Sequence, residues 1–224
     1  GPYCVGQTIA LTATGGGTYS WSGPNAFTST SATPTIAGAT AAMGGVYTVT
    51  VTSAAGCTST ATTSVTVNPL PTPTAANTGP YCVGGTISLT STGGGTYSWS
   101  GPSAFTSTLQ NPTRSPATVA MSGTYTVTVT SAAGCTATAT TSVTVNPLPT
   151  PTAANTGPYC AGSTISLTAT GGGTYSWSGP NAFTSTSATP TIAGSTTAMS
   201  GVYTVTVTVS GCTATATTSV TVNP

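Results

Sequence analysis

Residues Gly123–Pro147 read GTYTVTVTSAAGCTATATTSVTVNP. Tyr125, Val127 and Val129 alternate with Thr126, Thr128 and Thr130. After a glycine-containing turn at Ala132–Cys135, Ala137, Ala139, Val143 and Val145 keep the same period, with Thr and Ser between them. A period of two sends apolar side chains to one face of an extended chain and polar ones to the other, the signature of half-buried β-strands. Helical periodicity is absent throughout. Earlier in the same unit Ile87 and Leu89 alternate with Ser and Thr, and Tyr97 and Trp99 flank Ser98. Six or seven short strands in about 70 residues predict an all-β, two-sheet sandwich.

This unit occurs three times. Cys4, Cys82 and Cys160 are 78 residues apart, as are Trp21, Trp99 and Trp177, and Met43, Met121 and Met199. The second cysteine falls at Cys57, Cys135 and Cys212; its last step is 77 because the third copy reads VTVTVSGC where the others read VTVTSAAGC. A unit of this size is a small domain rather than a solenoid turn. We divide the chain into repeats 1–69, 70–147 and 148–224, arranged as an extended rod. Between them lies NPLPTPTAANT, at Asn68–Thr78 and Asn146–Thr156. Its prolines favour an extended course, either a semi-rigid spacer or the first strand of the following repeat. Repeat 1 has no such segment before it, and the reading is a section of a longer array or one subunit of a polymer.

Charge narrows the function. Among 224 residues there is one Lys or Arg, Arg114, and no Asp, Glu or His. General acid–base catalysis uses groups that titrate near working pH, and a serine or cysteine nucleophile needs a base or cation beside it. Calcium and magnesium need carboxylates; zinc needs histidines or closely paired cysteines. Nucleic-acid backbones need a basic patch. The composition therefore predicts no enzyme, no cofactor or metal, no small-molecule substrate and no nucleic-acid partner. Arg114 stands where the other copies have Ile36 and Ile192, and reads as an exposed loop substitution.

The order of a cysteine, a TISLT strand, YSW, a glycine before YTVTVT, the AAGC turn and TATATTSVTVNP resembles the immunoglobulin-like and PKD-like repeats of very large surface and secreted proteins of Bacteroidota. The likeness covers each unit nearly end to end. It implies stalks, adhesins or spacers, many of them exported by type IX secretion. PKD-type domains commonly follow YxW with an acidic, glycine-rich turn; here that turn is SGPNAF or SGPSAF, and any acidic function is not carried over. In such a sandwich Trp21, Trp99 and Trp177 pack the core, with Tyr47, Tyr125 and Tyr203.

Two cysteines per repeat in an exported chain imply disulfides. The usual arrangement is a bridge within each repeat: Cys4–Cys57, Cys82–Cys135 and Cys160–Cys212. The rival, favoured here, follows if the flanking strands are B and F of an immunoglobulin-like sandwich. These run in the same direction, so the start of one and the end of the other lie at opposite ends of the domain. End-to-end stacking then allows Cys4–Cys135 and Cys82–Cys212, leaving Cys57 and Cys160 for units beyond these three.

About a quarter of the residues are Thr, mostly on the outward parity of strands. They supply β-propensity and solubility without charge, or carry O-linked glycans, with Thr48, Thr50, Thr126, Thr128, Thr204 and Thr206 as candidate carriers. No permitted Asn-x-Ser/Thr sequon occurs, so N-glycosylation is not expected. Strand edges without Lys or other charges invite pairing between chains, and self-association or further copies of the repeat are the expected partners. Two functional readings emerge. One is an extracellular or cell-surface structural array, a filament or adhesin stalk. The other is a glycan- or surface-binding module, for which Phe27, Phe105 and Phe183 are the candidate contacts.

Overall fold

The computed structural model describes residues 1–224 as three β-sandwiches in series, with no α-helix. Repeat 2 shows the plan most fully. One sheet orders Thr113–Arg114, Ile87–Thr92 and Thr74–Asn77, all antiparallel. The other orders Phe105–Ser107, Thr96–Gly101, Gly123–Thr130 and Thr136–Val143, also antiparallel. The last strand resumes at Val145–Asn146, where Tyr81–Cys82 joins it in parallel. The segment Thr72–Tyr81 thus touches both sheets in turn, first beside Ile87–Thr92 and then beside the end of the last strand.

Alternation puts the core between the sheets. Ile87, Leu89, Trp99, Tyr125, Val127, Val129 and Val143 are all at most 2% exposed, while Thr and Ser of intervening parity face outward. Each repeat has its own cluster of this kind, built from residues 9–65, 87–145 and 159–222 respectively. Burying one large aliphatic or aromatic side chain contributes about 1.5–3 kcal/mol. The indole N–H groups are not stranded by burial. Trp21, Trp99 and Trp177 donate from Nε1 to the carbonyls of Ser31, Gln110 and Ser187 at 3.0, 3.3 and 3.1 Å.

Two glycines of GGGTYSWSG are required by geometry. Gly95 has φ +127°, and a methyl group there would sit 2.1 Å from the Thr130 carbonyl oxygen. At the far end of the strand, a Cβ on Gly101 would lie 2.5 Å from the Tyr125 ring. The first glycine lets the chain enter the strand beside Gly123–Thr130; the second leaves space for the tyrosine.

The proline-rich connections resolve as strands. Thr74–Asn77 and Thr152–Asn155 pair antiparallel with the second half of the following TISLT strand. Asn77 and Asn155 then close each sandwich, donating from Nδ2 to the Oγ1 of Thr141 and Thr218 (2.8 Å) and to the carbonyls of Ser142 and Ser219 (2.9 Å). Repeat 1 has no such strand. Its counterpart of Ile87–Thr92 keeps regular pairing only at Ile9–Ala10, with Thr35–Ile36. Ala61 of repeat 1 is exposed, whereas the equivalent Ala139 and Ala216 are half-buried.

Candidate functional site: the joints between repeats

The cysteines mark where one sandwich meets the next. Cys4 is bonded to Cys135 and Cys82 to Cys212, each with Cα atoms 5.6 Å apart. Each bond therefore joins the first cysteine of one repeat to the second cysteine of the following repeat. The within-repeat alternative is not formed, for a reason visible in the register. Cys82 pairs with Asn146, and Cys135 immediately precedes the strand that leads there. Eleven residues of extended chain separate Cys135 from Asn146, roughly 30 Å or more at about 3.3 Å per residue. A disulfide requires Cα atoms within about 7 Å.

One half of each bond is buried and the other, Cys4 or Cys82, is half-buried. Cys135 and Cys212 are each 1% exposed, their Sγ atoms 3.9 Å from the carbonyl oxygens of Asn68 and Asn146. Asn146 also donates from Nδ2 to the Ser210 carbonyl of the next repeat at 3.2 Å. The turns that carry the second cysteines are preformed. Ser53 N donates to the Cys57 carbonyl and Ser131 N to that of Cys135, at 2.9 and 2.8 Å. The hydroxyls of the same serines each accept from the cysteine N–H at 3.2 Å. Cys57 and Cys160 are unbonded and exposed.

The aromatic residues do other work. Tyr47, Tyr125 and Tyr203 are fully buried and donate from their hydroxyls to the carbonyls of Met43, Met121 and Met199 at 2.8, 3.0 and 3.0 Å. This is the tyrosine corner of immunoglobulin-like sandwiches, and it anchors each 3₁₀ turn, such as Val119–Met121, to the strand that follows. Phe27, Phe105 and Phe183 are half-buried and meet these tyrosines edge-on, with centroids 5.4, 5.5 and 5.4 Å apart. They rest against the corner rather than standing clear of the surface.

The position of Arg114 corrects the sequence reading. It lies in a strand and is half-buried. Its Nη1 donates to the Pro102 carbonyl (2.9 Å) and the Tyr125 hydroxyl (2.7 Å), and its guanidinium lies 4.8 Å from the Phe105 ring centre. In repeats 1 and 3 the same place holds Ile36 and Ile192, which line small surface clefts beside Phe27 and Phe183. A planar cation on an aromatic face substitutes for an aliphatic side chain there. A loop reading missed this because the pairing strand is only two residues long.

Thr48, Thr50, Thr126, Thr128, Thr204 and Thr206 lie on an inner strand of the larger sheet of each repeat, half-buried between neighbours. Thr126 faces Ser100 and Thr140, and Thr128 faces Ser98 and Thr138. Thr136, Thr138 and Thr140, on the outermost strand, are exposed. The outer face is thus a ladder of hydroxyls. No three His, Cys, Asp or Glu side chains come together to hold a metal ion.

One further feature follows from the segment that repeat 1 lacks. A groove of about 520 Å³ runs along repeat 1, lined by Thr12, Ala13, Thr14, Val49, Val51 and Cys57 among others. It follows the strand edge that Thr74–Asn77 and Thr152–Asn155 cover in repeats 2 and 3.

No protein-family model matches the chain, and no curated protein does. Among solved structures, the I-band fragment I67–I69 of titin matches over 100% of this chain and 95% of its own, at 16% identity and TM-score 0.51. An E-to-A variant of the same three immunoglobulin domains matches over the same shares at 15% identity and TM-score 0.52. At this identity the likeness establishes the fold: tandem immunoglobulin-like domains.

Proposed function

We propose that this chain is a structural repeat array of the cell exterior, a stretch of filament or adhesin stalk whose task is mechanical. The observation that carries this reading is the pair of disulfides that cross the joints rather than the domains. A bond within a sandwich reinforces a domain that is already packed. A bond between sandwiches holds the hinge, the weakest point of a rod under tension or bending. Structural disulfides persist in oxidising compartments, which supports an extracellular location. The export route and bacterial source implied by the repeat resemblance belong to the same proposal.

The near-absence of charge fits this task. Only Arg114 offers a trypsin site, and the hydroxyl ladders carry solubility in place of ionic groups; O-linked glycans on exposed threonines would extend that coat. Edge-on packing of Phe27, Phe105 and Phe183 against the buried tyrosines gives no separate support to the surface-binding reading. The test is electron microscopy and small-angle scattering of the oxidised and reduced chain. A rod that stays straight when oxidised and hinges when reduced is expected. Equal flexibility in both states would contradict the reading.

A further inference from the structure

Both joints obey one rule: the first cysteine of a repeat bonds the second cysteine of the next. By that rule Cys57 is an unused second cysteine and Cys160 an unused first cysteine, and both are exposed. Each already has the local setting of its bonded counterparts. Cys57 sits in the same serine-held turn as Cys135, with its N–H on the Ser53 hydroxyl at 3.2 Å. Cys160 pairs in register with Asn223, as Cys4 does with Asn68 and Cys82 with Asn146.

We infer that Cys57 of one copy bonds Cys160 of a second copy, head to tail, and that this joint reproduces the two internal ones. This deepens the structural-array reading and rests on it. Cys57 also lines the groove along repeat 1, so its thiol is open to an incoming chain. A contact of this kind joins two unlike surfaces, so each copy takes one partner at each end. Chemically, two thiols lose two protons and two electrons to form the bond. A low-molecular-weight disulfide accepts them and leaves as two thiols, through a mixed-disulfide intermediate.

The test uses the full chain in an oxidised/reduced glutathione buffer, read on non-reducing gels. The unaltered chain is expected to give a ladder in steps of 21.4 kDa. Cys57→Ser and Cys160→Ser each remain monomeric alone, and their mixture gives dimers only, linked between Cys57 and Cys160. Both variants change exposed, unbonded residues, so folding is retained. Failure of the mixture to dimerise, or homodimers of either variant forming as readily as the mixed dimer, overturns the proposal. Scattering from the monomeric variants separates this from the reading beneath it. A straight monomer that does not dimerise sinks only the intermolecular joint, whereas a freely hinging monomer sinks the array itself.

Discussion

At the residue scale, the fold depends on a few side chains that admit no substitute and many that do. Gly95 belongs to the first kind. Gly95→Ala forces a methyl into the Thr130 carbonyl in a backbone region that L-residues avoid, and is expected to cost repeat 2 more than about 2 kcal/mol in chemical denaturation. Arg114 belongs to the second. Arg114→Ile restores the side chain of the sister repeats and should change stability by less than about 1 kcal/mol. Arg114→Ala removes the stacking and the guanidinium bonds to the Pro102 carbonyl and Tyr125 hydroxyl, and should cost about 1–2 kcal/mol in the same assay. Titration follows equally simple rules. Without Asp, Glu or His, no side chain changes charge between about pH 4 and pH 7, and the melting temperature should be flat there. Burial pushes the Tyr47 and Tyr203 hydroxyls above their ordinary value. A raised folded-state value favours the neutral form, so this stability is present below the unfolded value near 10 and lost as pH rises through the folded one. At Tyr159 burial also raises the value, but hydrogen bonds with Thr156 and Ser166 outweigh it and lower the net. That group opposes the loss in repeat 3. Melting curves should therefore fall above about pH 10, more in repeat 1 than in repeat 3.

At the element scale, the strands with strict alternation were legible in the sequence and the short ones were not. Gly123–Thr130 and Thr136–Val143 announce themselves because one face must be apolar along their whole length. Thr113–Arg114 pairs over two residues, too few for any period to register, and Arg114 was misread for that reason. The tyrosine corner was illegible for a different cause: the hydroxyl's partner is a backbone carbonyl of Met121, and carbonyls leave no mark on sequence. The connection NPLPTPTAANT allowed both a spacer and a strand, since proline fixes an extended backbone in either case; Asn77, bonded across to Thr141 and Ser142, decides for the strand. Its absence from repeat 1 has a measurable consequence. In hydrogen exchange of the 224-residue chain, amides of Thr12 and Thr14 should exchange much faster than those of Thr90 and Thr92, which lie under Ala76 and Thr74. Equal protection at the two places would mean the groove of repeat 1 is filled.

At the scale of the whole molecule, three small sandwiches are made into one object by two bonds. Each closes a loop of about 130 residues, and the chain-entropy model assigns about 5 kcal/mol to such a loop as an upper value. The two loops overlap between Cys82 and Cys135, so repeat 2 is held to both neighbours. The single arginine offers a direct test of that connectivity. Cys82→Ser removes the second bond, and trypsin then cuts the alkylated, denatured chain after Arg114, giving fragments 1–114 and 115–224. If Cys4 is joined to Cys135, the two fragments migrate as one species without reductant and separate only when reductant is added. If instead the bonds lie within repeats, nothing spans the cut in this variant. Two free fragments on the non-reducing gel would contradict the stapled joints and, with them, the mechanical role assigned to the chain.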